Sequence, residues 1–336
     1  MKAIVPFLLA CFTLLGAGVA HAGNGTQIFI NTSSDIYDMA YDSQDGILYM
    51  SNTGPYILRY DVIQRKLLSS ILIGGNLYGI DVSEDGKLLA AADGNSGNGV
   101  VWIDIVDLAN GDHRKISGAG GVDEAGTLDV AFYKDGNVVV SGAFAGSGFE
   151  PIKIANIRTG TLTSIGDATN STVLRPSPDH GTVGYTQGDI SDGPWGIVSV
   201  PKMSVNQLGT ENWFTYDLAV SSGGRRFALP TYYGTFVFRH NGDGIALLGK
   251  YAMTWFNGAV FDPGNDKLLY QTLAGSSQIE LWNTLTQTVV KTISASQGSF
   301  PDNGNGSFSY GYMRISPDGK MLFVKIAGGV LLVPLK

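Results

Sequence analysis

Three aspartates occupy matching places in the chain and are the residues whose chemistry stands out first. Asp38, Asp129 and Asp217 each lie near the start of a short apolar segment, in YDMAY, LDVAF and YDLAV, and these segments follow one another at nearly equal spacing. Carboxylates that a fold brings together around one axis repel one another unless a cation, a basic group or water screens them. One interpretation is a Ca²⁺ ion or a cationic ligand held by the three side chains. The other is that each aspartate accepts hydrogen bonds from backbone N–H groups of its own leading turn.

Aromatic residues crowd the same segments. Tyr37 stands directly before Asp38, and Tyr78 holds the matching place further along the chain. Aromatic faces beside carboxylate and amide acceptors suit sugars, peptides or a protein surface, although aromatics at strand starts also fill gaps between packed sheets. The candidate ligand-binding residues are Asp38, Asp129, Asp217, Tyr37, Tyr78, Trp195, Tyr232, Tyr233, Trp213 and Trp255, of which Trp195, Tyr232 and Tyr233 are predicted to lie in loops.

The elements that position these residues come from a repeat. A turn followed by an apolar strand recurs seven times, as SQDGILYM, SEDGKLLA, YKDGNVVV, SPDHGTVGY, SSGGRRFAL, DPGNDKLLY and SPDGKMLFV. Asp-Gly between two apolar runs is typical of a hairpin, because glycine adopts the positive φ that tight turns need. One apolar segment precedes each copy and two further strands follow most of them, which predicts four-stranded units of about 45 residues. The fold class predicted is all-β, a seven-bladed β-propeller of four-stranded antiparallel sheets.

The ends of the chain predict how the ring closes. The last repeat has three strands and the chain then stops, so its fourth strand is missing. The segment from Gln27 to Asn31 has the length and alternation of a strand and precedes the first complete repeat. We expect this N-terminal strand to complete the last blade and to remove an exposed sheet edge.

Composition agrees with such a fold and excludes several classes of function. The chain contains 46 glycines and only 15% charged residues, which favours turns and strands over helices. Cys11 is the single cysteine, so disulfides and thiolate metal sites are excluded once the leader is removed. A formal net charge of −7 offers nothing to attract a phosphate backbone, and no nucleic-acid partner is predicted.

The first 22 residues are typical of a secretory leader. One lysine, an apolar run and the small-residue site at Ala20 to Ala22 predict a signal peptide over 1–22 and a propeller over 23–336. A membrane anchor and a lipidated Cys11 are the alternatives, since Leu8 to Cys11 is similar to a lipobox. The mature chain is predicted to be periplasmic or secreted, without a transmembrane segment, as a monomer or a subunit of a complex.

The repeated phrase resembles that of a known superfamily. SPDGKMLFV, from Ser316 to Val324, and the stretch from Leu48 to Asp93 are similar to the blades of YVTN/WD40-like bacterial secreted propellers. The Gly-His and Trp-Asp marks of eukaryotic WD40 blades are absent. The resemblance implies the fold, whereas the superfamily includes surface-layer proteins, lactonase-like enzymes and dehydrogenase subunits, so that function depends on the site.

Sequence motifs of catalysis are missing. The chain contains no G-x-S-x-G, H-E-x-x-H, G-x-x-x-x-G-K-[ST] or C-x-x-C-H pattern. His113, His180 and His240 remain after the leader, and all three are predicted to be isolated surface residues. The function predicted is therefore a scaffold that binds a protein or glycan partner through an aromatic and acidic rim.

An enzymatic alternative stays open. A metal-dependent lactonase or lyase would need acids and bases at the channel mouth, and Asp38, Asp129 and Asp217 with Arg175 and Arg314 would supply them.

Overall fold

The computed structural model describes residues 25–144, 149–169, 172–188, 193–210, 215, 217–242, 244–251, 256–300 and 312–335. Its strands form seven four-stranded antiparallel sheets, each of them one blade. The fold is the all-β seven-bladed propeller that the repeat predicts.

The strands follow one another blade by blade, apart from the first. That strand, β1 (Ile28–Asn31), belongs to blade seven. Blade one contains β2 (Asp38–Asp42), β3 (Ile47–Ser51), β4 (Tyr56–Asp61) and β5 (Lys66–Leu72), and blade two contains β6 (Leu77–Val82), β7 (Leu88–Gly97), β8 (Val100–Asp107) and β9 (His113–Ala119). Blade three contains β10 (Glu124–Phe132), β11 (Asn137–Phe144), β12 (Phe149–Asn156) and β13 (Thr161–Thr169), and blade four contains β14 (Thr172–Pro176), β15 (Val183–Gln187), β16 (Pro194–Ser199) and β17 (Ser204–Thr210). Blade five contains β18 (Ala219–Val220), β19 (Arg226–Thr231), β20 (Gly234–His240) and β21 (Ile245–Tyr251), with a 3₁₀ turn at Ser222–Gly224. Blade six contains β22 (Phe256–Asp262), β23 (Asn265–Leu273), β24 (Gln278–Asn283) and β25 (Thr288–Ser294), and blade seven contains β26 (Met313–Ile315), β27 (Met321–Ile326), β28 (Gly329–Pro334) and β1.

The repeated phrases form the turn between the first and second strands of every blade. Glycine adopts a positive φ there in most copies, as at Gly46, Gly86, Gly136 and Gly319. Blade four differs, because His180 holds this place with a φ of 49°. Its N–H donates to the Ser177 carbonyl at 2.8 Å, the bond that Gly86 makes to Ser83 in blade two. A non-glycine residue in this conformation is uncommon and carries a cost in strain.

The ring closes through the N-terminal strand, as the missing fourth strand predicts. Strand β1 pairs antiparallel with β28, in a register that sets Ile28 against Leu332 and Ile30 against Val330. The Gln27 side chain donates to the Ser294 carbonyl at 2.8 Å and accepts from the Ser296 N–H at 2.7 Å. The two ends of the chain therefore share one sheet, which leaves β28 without a free edge.

The core lies between neighbouring blades. Alternate residues of a strand point to opposite faces, so that each blade packs against the blade before it and the blade after it. In blade two, Ala91 and Leu89 pack with Ile57 of blade one, whereas Ala90 and Ile103 pack with blade three. Stability thus depends on contacts from blade to blade around the whole ring.

The strand order defines two faces of the disc. We call the upper face the side that carries the connections between second and third strands and the connections from one blade to the next. The opposite side, which carries the other turns, is the lower face. The first strand of each blade lines the channel and is called its inner strand, and it runs from the upper face to the lower face. Over the residues that the structure describes, no helix is long and apolar enough to cross a membrane.

Candidate functional site

Asp38 lies at the start of the inner strand of blade one, buried in the channel wall. Its Oδ1 accepts from the Met39 N–H at 2.8 Å, and its Oδ2 accepts from the Ile80 N–H of blade two at 3.1 Å. The Ser51 hydroxyl accepts from the Asp38 N–H at 3.2 Å and donates to the Tyr78 carbonyl at 2.5 Å. The aspartate and the serine together tie one inner strand to the next.

Asp129 repeats this arrangement between blades three and four. Its carboxylate accepts from the Val130 N–H at 2.9 Å and from the Leu174 N–H at 2.8 Å. Ser141 accepts from the Asp129 N–H and donates to the Thr172 carbonyl at 2.8 Å. We call this Asp–Ser arrangement the interblade clasp.

A glycine makes room for the second clasp. Gly79 holds the aspartate position in blade two, and a Cβ there would collide with Oδ1 of Asp129. Blade two therefore has no carboxylate at this level because the neighbouring carboxylate occupies the space.

Two arginines offset the three carboxylates. Arg175 donates from Nε to Asp217 at 2.8 Å and from Nη1 to Asp129 at 3.1 Å, so that it joins blades three and five from its place in blade four. Arg314 of blade seven donates from Nη2 to Asp38 at 2.5 Å. Carboxylates brought together in this way need a cation, a basic group or water beside them, and guanidinium groups fill that role in the structure.

The ion-pair cluster is deeply buried, and burial dominates its titration. Burial raises the pKa of Asp129 to about 7, against the lowering effect of Arg175. Burial also raises the pKa of Asp217. Lys325, whose Nζ donates to the Tyr37 carbonyl at 3.0 Å, has its pKa lowered to about 7 by burial, against the raising effect of Asp38. Burial therefore disfavours the charged form of each of these groups, and the neighbouring opposite charges partly offset that effect.

The contacts of the three aspartates favour the backbone interpretation over the metal. Each carboxylate accepts at least one backbone N–H bond and pairs with an arginine. In the described part of the chain, no group of three or more His, Cys, Asp or Glu residues is arranged to hold a metal ion.

Replacing Ser141 with alanine tests the clasp directly. The substitution leaves the buried Asp129 N–H and the Thr172 carbonyl without their shared partner, and we expect a loss of about 1–3 kcal/mol in the free energy of unfolding. Ser164→Ala on the exposed face of the same blade is the matched control and should change stability by less than about 0.5 kcal/mol. Urea unfolding followed by tryptophan fluorescence measures both, and equal effects would contradict the clasp.

The aromatic candidates separate into different environments. Tyr37 and Tyr78 pack together at the upper end of the channel, with ring centroids 4.9 Å apart. Tyr232 and Tyr233 are exposed in the second-to-third connection of blade five, with ring centroids 4.8 Å apart. The predicted sites Trp213 and Trp255 fall outside the described residues.

The loop assignment of Trp195 was wrong. Its backbone belongs to β16, opposite Thr186, and its side chain is fully buried. The indole packs against Phe227 and Phe238 of blade five, with centroids 5.5 and 4.7 Å away. The side chain contributes to the core between blades four and five instead of facing a loop.

The described part of the upper face carries exposed apolar side chains and few charges. Asp35, Asp123 and the buried Asp217 are the charged residues in its described connections, whereas the lower face has charged residues in almost every turn, such as Glu84, Lys134 and Lys320. The lower face also exposes Ile63, Met203 and Leu285, on separate blades. The exposed apolar residues at the upper ends of the blades are Tyr56, Leu72, Val100, Val122, Phe149, Tyr232 and Tyr233.

The lower end of the channel holds a cavity that the sequence did not predict. Residues from all seven inner strands line it, and they include Asp81, Arg175 and Arg314. His180 lines it as well, so the expectation of an isolated surface histidine was wrong at this position. The signal available in the sequence was the replacement of glycine by histidine in one copy of the repeated turn.

Comparison with known proteins supports the fold and goes no further. No protein-family model matches the chain, and no curated protein matches it. Among solved structures, a chain of hydrazine synthase from Kuenenia stuttgartiensis is similar, with a TM-score of 0.70 and 14% sequence identity, over 94% of this chain and 99% of that chain. At this identity the similarity concerns the seven-bladed architecture alone.

Proposed function

We propose that this protein is a secreted or periplasmic scaffold that binds a partner through the upper face of its propeller. The observation that carries the proposal is the group of exposed apolar and aromatic side chains at the upper ends of the blades. Solvent-exposed apolar groups on one side of a rigid disc are typical of interaction surfaces. A protein surface is the favoured partner, with a glycan as the alternative.

The distribution of charge supports the same face. Interaction surfaces are depleted of charged residues at their centre and enriched in tyrosine. The described upper connections contain Asp35, Asp123, the buried Asp217 and exposed Tyr232 and Tyr233, and exposed Tyr56 lies at the upper end of β4. The acidic part of the predicted rim takes no direct part in this proposal, because Asp38, Asp129 and Asp217 are buried in ion pairs.

The resemblance of the repeated phrase to YVTN/WD40-like secreted propellers supports the proposed location. The leader over residues 1–22, which lies outside the described residues, supports it as well. Among the described contacts none favours a lactonase or lyase, because the acids that such a site would use are held by arginines and backbone N–H groups.

Site-specific crosslinking tests which face meets a partner. A photoreactive benzoylphenylalanine replaces Tyr232 on the upper face or Leu285 on the lower face, both of which are exposed, and the protein is irradiated in its native cell envelope. We expect a saturable crosslinked species with the Tyr232 probe that unlabelled protein competes away. An array of immobilised glycans run with the mature chain separates a carbohydrate partner from a protein.

Variants of the upper face provide a second test of the proposed binding face. Tyr232→Ser with Tyr233→Ser should abolish the crosslink made through a probe at Phe149, whereas Leu285→Ser should leave it unchanged. Crosslinks of equal strength from both faces, or none from the upper face together with no glycan bound, would overturn the proposal.

A further inference from the structure

The cavity at the lower end of the central channel is separate from the upper face. Its volume is about 150 Å³, and it lies below the ion pairs of Asp38, Asp129 and Asp217. Its rim includes Pro178 and Pro317 from the lower turns. Such a volume accommodates about five water molecules or one small organic molecule.

His180 is an exception in the repeat at the place where the repeat meets this cavity. Its left-handed φ of 49° occurs where most other blades have a glycine of positive φ, and His180 lines the cavity. Strained residues that persist are commonly found at functional sites. Glycine would adopt this turn conformation with less strain. A histidine is therefore kept here for its imidazole, and contact with a ligand is a role that the imidazole could have.

The hydrogen bond of His180 determines which ring nitrogen is left to accept a hydrogen bond from a ligand. Nδ1 lies 3.3 Å from the Phe132 carbonyl, and a carbonyl only accepts, so Nδ1 carries the proton in the neutral ring. Nε2 is then an acceptor.

Asp81 contributes a second acceptor to the same cavity. Its oxygens accept from the Val82 N–H at 2.9 Å and the Phe132 N–H at 2.7 Å. Among the described residues no ion pair involves Asp81. Burial raises its pKa, against a lowering effect of His180. A partly exposed carboxylate that makes no ion pair suits a hydrogen-bond donor from a ligand.

The guanidinium groups that also line the cavity do not reverse this preference. Arg314 is paired with Asp38, and Arg175 with Asp129 and Asp217. Three carboxylates thus meet two guanidinium groups and the ammonium group of Lys325, so that Asp81 is the carboxylate in excess. A channel lined by one excess sign attracts the opposite one.

We propose that the lower channel cavity binds a small primary ammonium compound, with Asp81 and His180 Nε2 accepting hydrogen bonds from the ammonium group. Three N–H donors of one ammonium group suit two acceptors in one cavity. Apolar walls favour a short alkyl body over a polar one. These walls are formed by Val130, Leu218, Val220, Val260, Phe261 and Ile315.

Three probes of equal size separate charge from shape. n-Butylammonium, n-butanol and butyrate are titrated into the mature protein labelled at alanine methyl groups. With butylammonium alone we expect NMR chemical-shift changes at the methyl groups of Ala40, Ala219 and Ala259, which line the cavity, and none at Ala155. Shifts with butyrate, equal shifts with butanol or no shift at all would overturn the proposal, and this arm needs no variant to fold.

Two variants test the acceptors. Asp81→Asn should weaken butylammonium binding about tenfold or more. Asp42→Asn is the matched control, because Asp42 also accepts two backbone N–H bonds at the lower end of an inner strand but does not line the cavity. His180→Gly should weaken binding and at the same time raise the unfolding midpoint, since it relieves the strained turn. Unchanged binding in both channel variants would overturn the assignment.

Discussion

Replacing Arg175 with methionine should lower the free energy of unfolding by about 3–5 kcal/mol at pH 8. The side chain pairs with Asp129 and Asp217, both almost fully buried, and methionine supplies neither charge nor donors. Two carboxylates would then remain in the channel wall without their ion-pair partner. Removal of one partner from a buried ion pair costs more than the pair contributes, because the other charge stays desolvated.

The loss caused by Arg175→Met should depend on pH. The folded-state pKa of Asp129 already lies at about 7, above its unfolded value, so stability from this group is present at low pH and is lost as the pH rises through 7. Without the lowering effect of Arg175 the pKa rises further. Urea unfolding at pH 5 and pH 8 should therefore show a much smaller deficit at pH 5.

Arg226→Met is the matched control for this variant. Arg226 is also buried, but its partner Asp266 has a side chain 37% exposed to solvent, so water solvates the carboxylate that the substitution leaves behind. We expect a smaller loss with little pH dependence. A deficit of less than about 1 kcal/mol for Arg175→Met at pH 8, or equal pH profiles for the two variants, would contradict the assignment of the cluster.

Replacing Ile30 with aspartate should destabilise the protein by about 4 kcal/mol or more. Ile30 lies in β1 and packs with Met39, Leu48, Phe323 and Val330, between the first and last blades. A carboxylate in that cluster has no partner and is removed from water. The measurement is the urea midpoint, together with the yield of folded protein.

The neighbouring position supplies the control for the closing strand. Asn31→Asp adds the same charge on an exposed residue of β1 and should change stability by less than about 0.5 kcal/mol. If Ile30→Asp does not fold, Ile30→Ala should still show a loss of about 2–4 kcal/mol. An Ile30→Asp variant as stable as Asn31→Asp would mean that β1 does not close the ring in solution.

The sequence was sufficient to predict the blades and their closure, because both depend on local patterns. Seven turn phrases fix the hairpins, and the missing last strand fixes the role of β1. The three aspartates lie on or beside inner strands, but only Asp38 begins one, because Asp129 lies within β10 and Asp217 precedes β18. Their partners could not be predicted, because Arg175 and Arg314 reach across blades through side-chain conformations that no local pattern encodes.

Trp195 and His180 show where prediction from local pattern failed. For Trp195 the glycine-rich segment before Pro194 conceals where the strand begins, and the strand register decides whether a side chain is buried or exposed. For His180 the turn was located correctly but its surroundings were not. The inner strands bring that turn beside Asp81, which lies in a blade two positions away.

Closure by β1 has a consequence for biosynthesis. The ribosome makes this strand first and its partner β28 last, so the first blade to begin is the last to be finished. Pairing across nearly the whole chain delays completion of the ring until β28 has been made. A chain that lacks β28 would leave β1 without its partner strand, and an exposed strand edge is prone to pair with other chains.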